Sequence, residues 1–278
     1  MIAFMDRDQQ KRVILWCTPR SCSSAFTRAI LNKGKVEFLN EKYFKSFYFS
    51  KDRVSDRYDG KGGQFSAQTR QGLTYKEAKS CYEQRYEGAE LVFGKEMAVY
   101  LVDRLQSLDY VPRGYQHTFL IRNPAKSVPS LYNCLTDERN ATKEFDTLEA
   151  SYKPLHQLFH LIREESGRVP VLIDADDLLQ NPDAIIRQYC RRTGLTFHKE
   201  MLEWDSGAVP DKTHWHRWPG WYDTLLKSSG FKKQEEIGHT MVKELPQDIQ
   251  KCIETNMPYY EHLLKFRLMP EVNDVTDE

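Results

Sequence analysis

At 278 residues, with 40% hydrophobic and 29% charged side chains, the chain is long enough to bury a sizeable core. Forty Lys and Arg balance forty Asp and Glu, so the formal net charge is zero; this excludes a broad basic footprint for nucleic acid and leaves recognition to local groups. Six scattered cysteines without a Cys-x-x-Cys pair give neither a zinc spacing nor a short-loop disulfide framework, and read as reduced thiols of the cytosol.

The first residues, MIAFMDRDQQKR, hold no apolar stretch, and no uncharged apolar run approaches the ~20 residues that cross a bilayer. A cytoplasmic protein with no membrane partner is expected, with residues 1–11 and 270–278 as flexible tails of a single domain over 1–278. Val13 to Cys17 is five apolar residues in a row and predicts a buried strand over 12–18. Ala25, Phe26, Ala29 and Ile30 then recur at helical spacing, and Gly34 is the stop. Between strand and helix lie Pro19, Arg20, Ser21, Cys22, Ser23 and Ser24. That junction presents backbone N–H groups, hydroxyls, a guanidinium and a helix dipole to an anion. A plain N-cap is the simpler reading of the same serines. The loop has no glycine and its cation precedes the serines, so it is not the G-x-x-x-x-G-K-[ST] loop of an ordinary ATPase.

Next comes KVEFLNEKYFKSFYF, where Glu41 precedes Tyr43, Phe44, Phe47, Tyr48 and Phe49. A carboxylate beside such rings is partly desolvated, which raises its pKa and suits a general base; the rings themselves suit either an apolar pocket wall or core. Residues 50–71 are polar and glycine-rich and predict a mobile surface loop near an acceptor entrance, or a plain connector. A strand is expected over 91–96, carrying Lys95 near its end. Another is expected over 117–122, followed by Arg122, Pro124 as a helix-opening residue, and Ser130 eight residues after the arginine. On strand, turn and helix, Arg122 and Ser130 can converge on one phosphate. A strand over 169–175 ends in Asp174, Asp176 and Asp177, where Asp176 or Asp177 is expected to cap the helix from about Leu178. The alternation of strand and helix predicts a parallel sheet covered on both faces. Late in the chain, Trp215, Trp218, Trp221 and Tyr222 lie among Lys212, Arg217 and Lys227, a composition suited to adenine and its phosphate or to a packed lid.

Both anion motifs, in this order, resemble the sulfotransferase superfamily, whose members carry Pro-(Lys/Arg)-Ser-x-(Ser/Thr)-(Ser/Thr) after the first strand and Arg-Asn-Pro with a downstream serine. The resemblance takes in Lys95 in FGKEM, VLIDADDLLQNPDAIIRQYCRRTGL, and the tail MPYYEHLLKFRL of bacterial-type members, and covers about residues 12–268. It implies a three-layer α/β/α fold with a central parallel sheet, like that of P-loop nucleotide-binding proteins. The implied co-substrate is 3′-phosphoadenosine-5′-phosphosulfate (PAPS), leaving 3′-phosphoadenosine-5′-phosphate (PAP), with no metal. By that resemblance Arg20, Ser21, Cys22, Ser23 and Ser24 hold the 5′-phosphosulfate and Arg122 with Ser130 the 3′-phosphate. Lys95 and Arg20 face the sulfuryl group, and Glu41 is the base toward a hydroxyl or amine of a small organic acceptor. The cytosolic branch reads Lys-x-His at the central strand, whereas this chain has Lys95, Glu96 and Met97, so Glu96 is the reserve base. The late Arg-Lys-Gly signature of that branch is missing, which leaves the C-terminal contacts to adenine and the 3′-phosphate unassigned. Two other readings stand beside this one: a nucleotide kinase with a magnesium carboxylate in VLIDADDL, and an inactive nucleotide-binding scaffold. A pyridoxal enzyme finds no lysine in a suitable setting. Nothing in the sequence selects the acceptor or the oligomeric state.

Overall fold

The structure, a computed structural model, describes residues 10–32, 34–59, 71–139, 143–207, 213, 215, 220–231 and 245–270. Five parallel strands form the sheet in the order β2-β3-β1-β4-β5: β1 (Lys11–Cys17), β2 (Val36–Asn40), β3 (Leu91–Met97), β4 (Gln116–Ile121) and β5 (Val171–Asp174). The helices that connect and cover them are α1 (Ser23–Leu31), α2 (Lys42–Phe49), α3 (Tyr75–Glu83), α4 (Pro124–Leu135), α5 (Lys153–Ser166), α6 (Ala175–Gln180), α7 (Pro182–Thr193), α8 (Asp223–Leu226) and α9 (Gln247–Leu264).

Val13 to Cys17 are completely buried, odd and even positions alike, so both faces of β1 are covered and the sheet is the middle of three layers. Strand β3 is buried along its whole length, which brings Lys95 and Glu96 inside with it. The chain leaves β1, builds the β3 and β2 side, then passes β1 to lay down β4 and β5. At that switch the carboxyl ends of adjacent strands open a crevice, the place where parallel sheets bind ligands. In register, Asn40 and Leu15 flank Lys95, and Cys17 lies between Met97 and Leu120. Residues just beyond four strands therefore meet at one end of the sheet.

Four strands stand within one or two residues of expectation, and β2 and α3 add to it. Strand β2 is short and half-buried at the edge, so its VEFLN carries too few apolar residues for a run. Helix α3 is announced by Thr74, whose side chain accepts from the Glu77 N–H while Glu77 reaches back to the Thr74 N–H, a capping box. The helix after β5 is capped by Asp174, not by Asp176 or Asp177: Asp174 Oδ1 accepts from the N–H of Asp176 at 2.9 Å and of Asp177 at 3.3 Å, which starts α6 three residues earlier than expected. Of the expected surface loop, residues 50–59 lie at the surface with Lys51, Asp52, Arg53, Asp56 and Asp59 exposed, but part of the segment is tied to α2. The N–H groups of Val54 and Ser55 donate to Phe47 O, and Ser55 and Arg57 are buried. The rest of that loop, 60–70, lies outside the described residues, as do both expected tails except residues 10, 11 and 270.

Candidate active site

Residues Thr18 to Cys22 carry the chain from β1 into α1, and two of them adopt the left-handed region: Arg20 at φ 61° and Cys22 at φ 66°. Glu41, which links β2 to α2, is left-handed as well at φ 44°. Among the described non-glycine residues only Lys143 shares that property, so this costly conformation concentrates at the crevice. No side chain caps α1 at Cys22, and the first-turn N–H groups that a helix cannot satisfy internally face the crevice. Ser21 turns inward instead: its hydroxyl donates to Thr18 O at 2.8 Å and it is fully buried, so it stiffens the loop rather than lining the crevice.

Arg20 Nε donates to Ser130 Oγ at 3.0 Å, and Arg20 Nη1 donates to Trp221 O at 2.7 Å. Arg122 Nη1 donates to Arg20 O at 2.9 Å, while Arg122 Nε is buried with no hydrogen-bond partner. A buried guanidinium N–H without an acceptor is costly, and an oxyanion is what satisfies it. Ser130 reaches this point because Asn123 caps α4 through the Ala125 N–H at 2.9 Å and Pro124 opens its first turn.

Across the crevice Lys95 Nζ is paired with Glu41 Oε1, and Tyr100 OH donates to Glu41 Oε2 at 3.0 Å. Lys95 is 3% exposed. Burial works to depress its pKa, yet the adjacent Glu41 charge more than offsets this and the net shift is upward, so it is cationic at neutral pH. Glu96, the next residue on the strand, points to the opposite face, away from the crevice. Its Oε1 accepts from the Tyr43 N–H at 3.0 Å and from Tyr82 OH, and Oε2 has no partner. Burial pushes its carboxyl up to about 8.

These groups share one cavity of about 870 Å³, lined by Arg20, Ser23, Ser24, Arg122 and Ser130 at one end and by Glu41 and Lys95 beside them. Phe44, Tyr48, Tyr58 and Tyr100 form an aromatic wall further along. Of the five rings in KYFKSFYF, Phe44 and Tyr48, four apart, line the cavity, whereas Tyr43 and Phe47 on the neighbouring stripe of the helix are fully buried in the core. Behind the wall, Tyr48 OH donates to Glu149 Oε1 at 2.6 Å, and Arg57 pairs with the same carboxylate at 2.6 Å; neither Arg57 nor Glu149 had a sequence signal, because the contact joins segments 92 residues apart. Trp221 and Tyr222 close another side, and Trp215 stacks on Tyr222 with centroids 5.6 Å apart. Lys212, Arg217 and Trp218 lie outside the described residues.

The acidic trio after β5 is committed to protein partners. Asp174 caps α6 and accepts from Tyr260 OH, Asp176 pairs with Lys126 at 2.8 Å, and Asp177 pairs with Arg267 at 2.8 Å. Asp176 Oδ1 is buried without a partner, but with two of the carboxylates paired to cations and the third a helix cap the trio makes a poor magnesium site of the kinase type.

A parallel α/β sheet with a guanidinium-rich, left-handed loop at its switch point is an architecture suited to an oxyanion ligand. A family model for the sulfotransferase domain matches residues 11–267, and the chain belongs to that family. It is 26% identical over 232 residues, 81% of its length, to branched-chain-amino-acid aminotransferase-like protein 2 of Arabidopsis thaliana, of which it covers 37%. It is 31% identical over 102 residues to the sulfotransferase ppzF of Metarhizium rileyi, covering 32% of this chain and 30% of that one. The chain thus spans well under half the length of these curated relatives. Among solved structures, the sulfotransferase domain from the curacin biosynthetic pathway superposes over 94% of this chain and 100% of its own at a TM-score of 0.51 and 12% identity. A sulfotransferase from Alicyclobacillus acidocaldarius does so over 93% and 97%, again at 0.51 and 12%. The shared architecture is the three-layer fold with its all-parallel sheet. No helix among the described residues is long and apolar enough to cross a membrane.

Proposed function

We propose that this chain transfers a sulfuryl group from PAPS to a hydroxyl or amine of a small organic acceptor. The observation that carries the reading is the buried, partnerless Arg122 Nε facing an uncapped helix start, with Arg20, Ser130 and the Lys95–Glu41 pair in the same cavity. Two neighbouring groups of anion-binding side chains, Arg122 with Ser130 and Arg20 with the start of α1, suit a donor with phosphates on both sides of its ribose, and the Lys95–Glu41 pair lies beside them. Arg122 and Ser130 would hold the 3′-phosphate, and Arg20 with the α1 N–H groups and the Ser23 and Ser24 hydroxyls would hold the 5′-phosphosulfate.

PAPS supplies, when bound, a sulfuryl group activated by its phosphate leaving group. Lys95 and Arg20 place fixed positive charge where negative charge grows as that bond breaks, a contribution worth several kcal/mol when the donors are preorganised. Glu41 accepts the acceptor's proton; the Tyr100 hydroxyl and Lys95 hold its carboxylate in place beforehand. The aromatic wall of Phe44, Tyr48, Tyr58 and Tyr100 supports an acceptor with an apolar or ring-containing body.

The test is calorimetric titration with PAP beside ATP and magnesium. PAP is expected to bind with one-to-one stoichiometry and ATP far more weakly, because only PAP fills the Arg122 seat. Arg122→Ala is expected to weaken PAP by about 10- to 100-fold, the worth of a charged hydrogen bond. Binding of magnesium ATP in preference to PAP would assign the cavity to a kinase, and binding of neither would overturn the donor-site reading.

A further inference from the structure

Away from the cavity, helices α5 and α9 bring three histidines together. His156 and His160 lie one turn apart on α5, and His262 is in the last turn of α9. His156 Nε2 and His262 Nδ1 are 2.7 Å apart; the ring centroids of His160 and His262 are 5.1 Å apart and those of His156 and His160 are 4.5 Å apart. One ring nitrogen from each lies within 4.8 Å of the others. A hydrogen bond between His156 and His262 accounts for two of the imidazoles but leaves the third: His160 Nε2 is buried with no partner.

Three nitrogens bound to one tetrahedral ion at about 2.0–2.1 Å stand about 3.3–3.4 Å from one another. The His156–His262 nitrogen pair, at 2.7 Å, is closer than that value and the whole set lies within 4.8 Å, so ring rotations are what a shared ion would require. Two histidines four apart on one helix face are a recurrent way to grip a single ion, and a third from a facing helix completes a three-nitrogen set. Of the charged groups nearby, Arg163 is occupied over the Phe266 ring at 4.9 Å, and Glu164 offsets it.

We propose that His156, His160 and His262 bind one divalent transition ion of the zinc type, which pins the end of α9 to α5. Three imidazoles select zinc, copper, nickel or cobalt over magnesium or calcium, which take oxygen ligands. None of the three histidines lines the large cavity, so the ion is structural and takes no part in transfer. Its effect falls on α9, which also supplies Asn256 Oδ1 to the Tyr152 N–H at 2.8 Å and packs Ile249 and Cys252 against α4, the helix of Ser130.

The experiment uses untagged full-length chain stripped with chelator and titrated with ZnCl₂ by calorimetry, with thermal melts alongside and MgCl₂ as control. One equivalent of zinc is expected to bind. Zinc at a hundred times its dissociation constant should raise the melting midpoint by about 5 °C, and magnesium should leave it unchanged. His160→Gln keeps a polar group of similar size, so its fold is expected to hold in circular dichroism, while zinc affinity falls at least about 100-fold. His262→Ala should do the same. Absence of saturable zinc binding by the wild-type chain, or one-equivalent binding that persists undiminished in His160→Gln and His262→Ala, would overturn the proposal; the second result would place the ion on other groups.

Discussion

Glu41 and Glu96 flank Lys95 on opposite faces of the same strand end, and their surroundings divide their duties. Glu41 lines the cavity, held by Lys95 and Tyr100, so Glu41→Gln is expected to leave PAP titration unchanged while turnover falls about 10²- to 10⁴-fold. Retained turnover would remove Glu41 from the base role. Glu96 is locked under α2 by Tyr43 and Tyr82, and its folded pKa near 8 lies above that of an unfolded carboxyl. A raised acid pKa contributes stability that is complete below the unfolded value near 4.5 and is lost as pH climbs through 8. Glu96→Gln cannot titrate. Relative to wild type, its stability should therefore improve with rising pH by up to about 1.4 kcal/mol per unit across that window, read by denaturant melts at several pH values. Parallel pH profiles for the two proteins would show that Glu96 titrates normally. Arg20, Arg122 and Ser130 were legible because each follows a strand end at a fixed offset. Glu41 was named the base and Glu96 the reserve; that Glu96 turns from the cavity was not legible, because Lys95 and Glu96, adjacent on β3, face opposite sides and the strand is buried on both. The Arg57–Glu149 pair left no sequence trace, since an ion pair between distant segments has no local period.

Helices and strands position these groups through close packing, and Gly94 shows how closely. It sits in the centre of β3, immediately before Lys95, and a Cβ there would stand 2.8 Å from Tyr82 Cε1 and 3.0 Å from Ile14 Cγ1. Tyr82 is the ring that donates to Glu96, so it is fixed at both ends and cannot yield freely. Gly94→Ala is expected to cost about 1–3 kcal/mol in denaturant melts and to lower turnover through displacement of Lys95. An unchanged melt would mean that the α3 packing is soft. Strand β1 was legible because burial on both faces demands a continuous apolar run, Val13 to Cys17; the three-residue runs LVF and FLI are the traces of β3 and β4. Edge strand β2 was not, since its five residues, of which only Phe38 and Leu39 are buried, carry neither a long run nor a clear alternation. The start of α6 was misplaced for a related reason: three aspartates compete for one cap, and the end of β5 decides among them.

On the scale of the whole molecule, the helix that carries Ser130 belongs to a small cluster of buried side chains separate, among the described residues, from the large one. The large cluster surrounds the sheet; the smaller joins Val128, Leu131 and Leu135 of α4 to Ala150 and to Ile249 and Cys252 of α9. The segment at the chain's far end therefore packs against the helix that carries Ser130, though it contributes no described side chain to the cavity lining. Its hydrogen bonds reach two elements, α5 and β5. Asn256 satisfies the Tyr152 N–H at the start of α5, Tyr260 donates to Asp174 at the end of β5, and the Leu268 N–H donates to Leu172 O at 2.7 Å. Asn256 is 3% exposed, so Asn256→Ala would leave the Tyr152 N–H without its acceptor in a dry setting, at a cost of about 1–3 kcal/mol. If α9 holds α4 in place, that loss should appear twice: as a lower denaturation midpoint and as weaker PAP binding at temperatures where the protein is still folded, although Asn256 touches no part of the cavity. A lower midpoint with unaltered PAP affinity would show instead that α4 keeps Ser130 in position through its own cap at Asn123 and its packing on the sheet, and that α9 contributes stability alone.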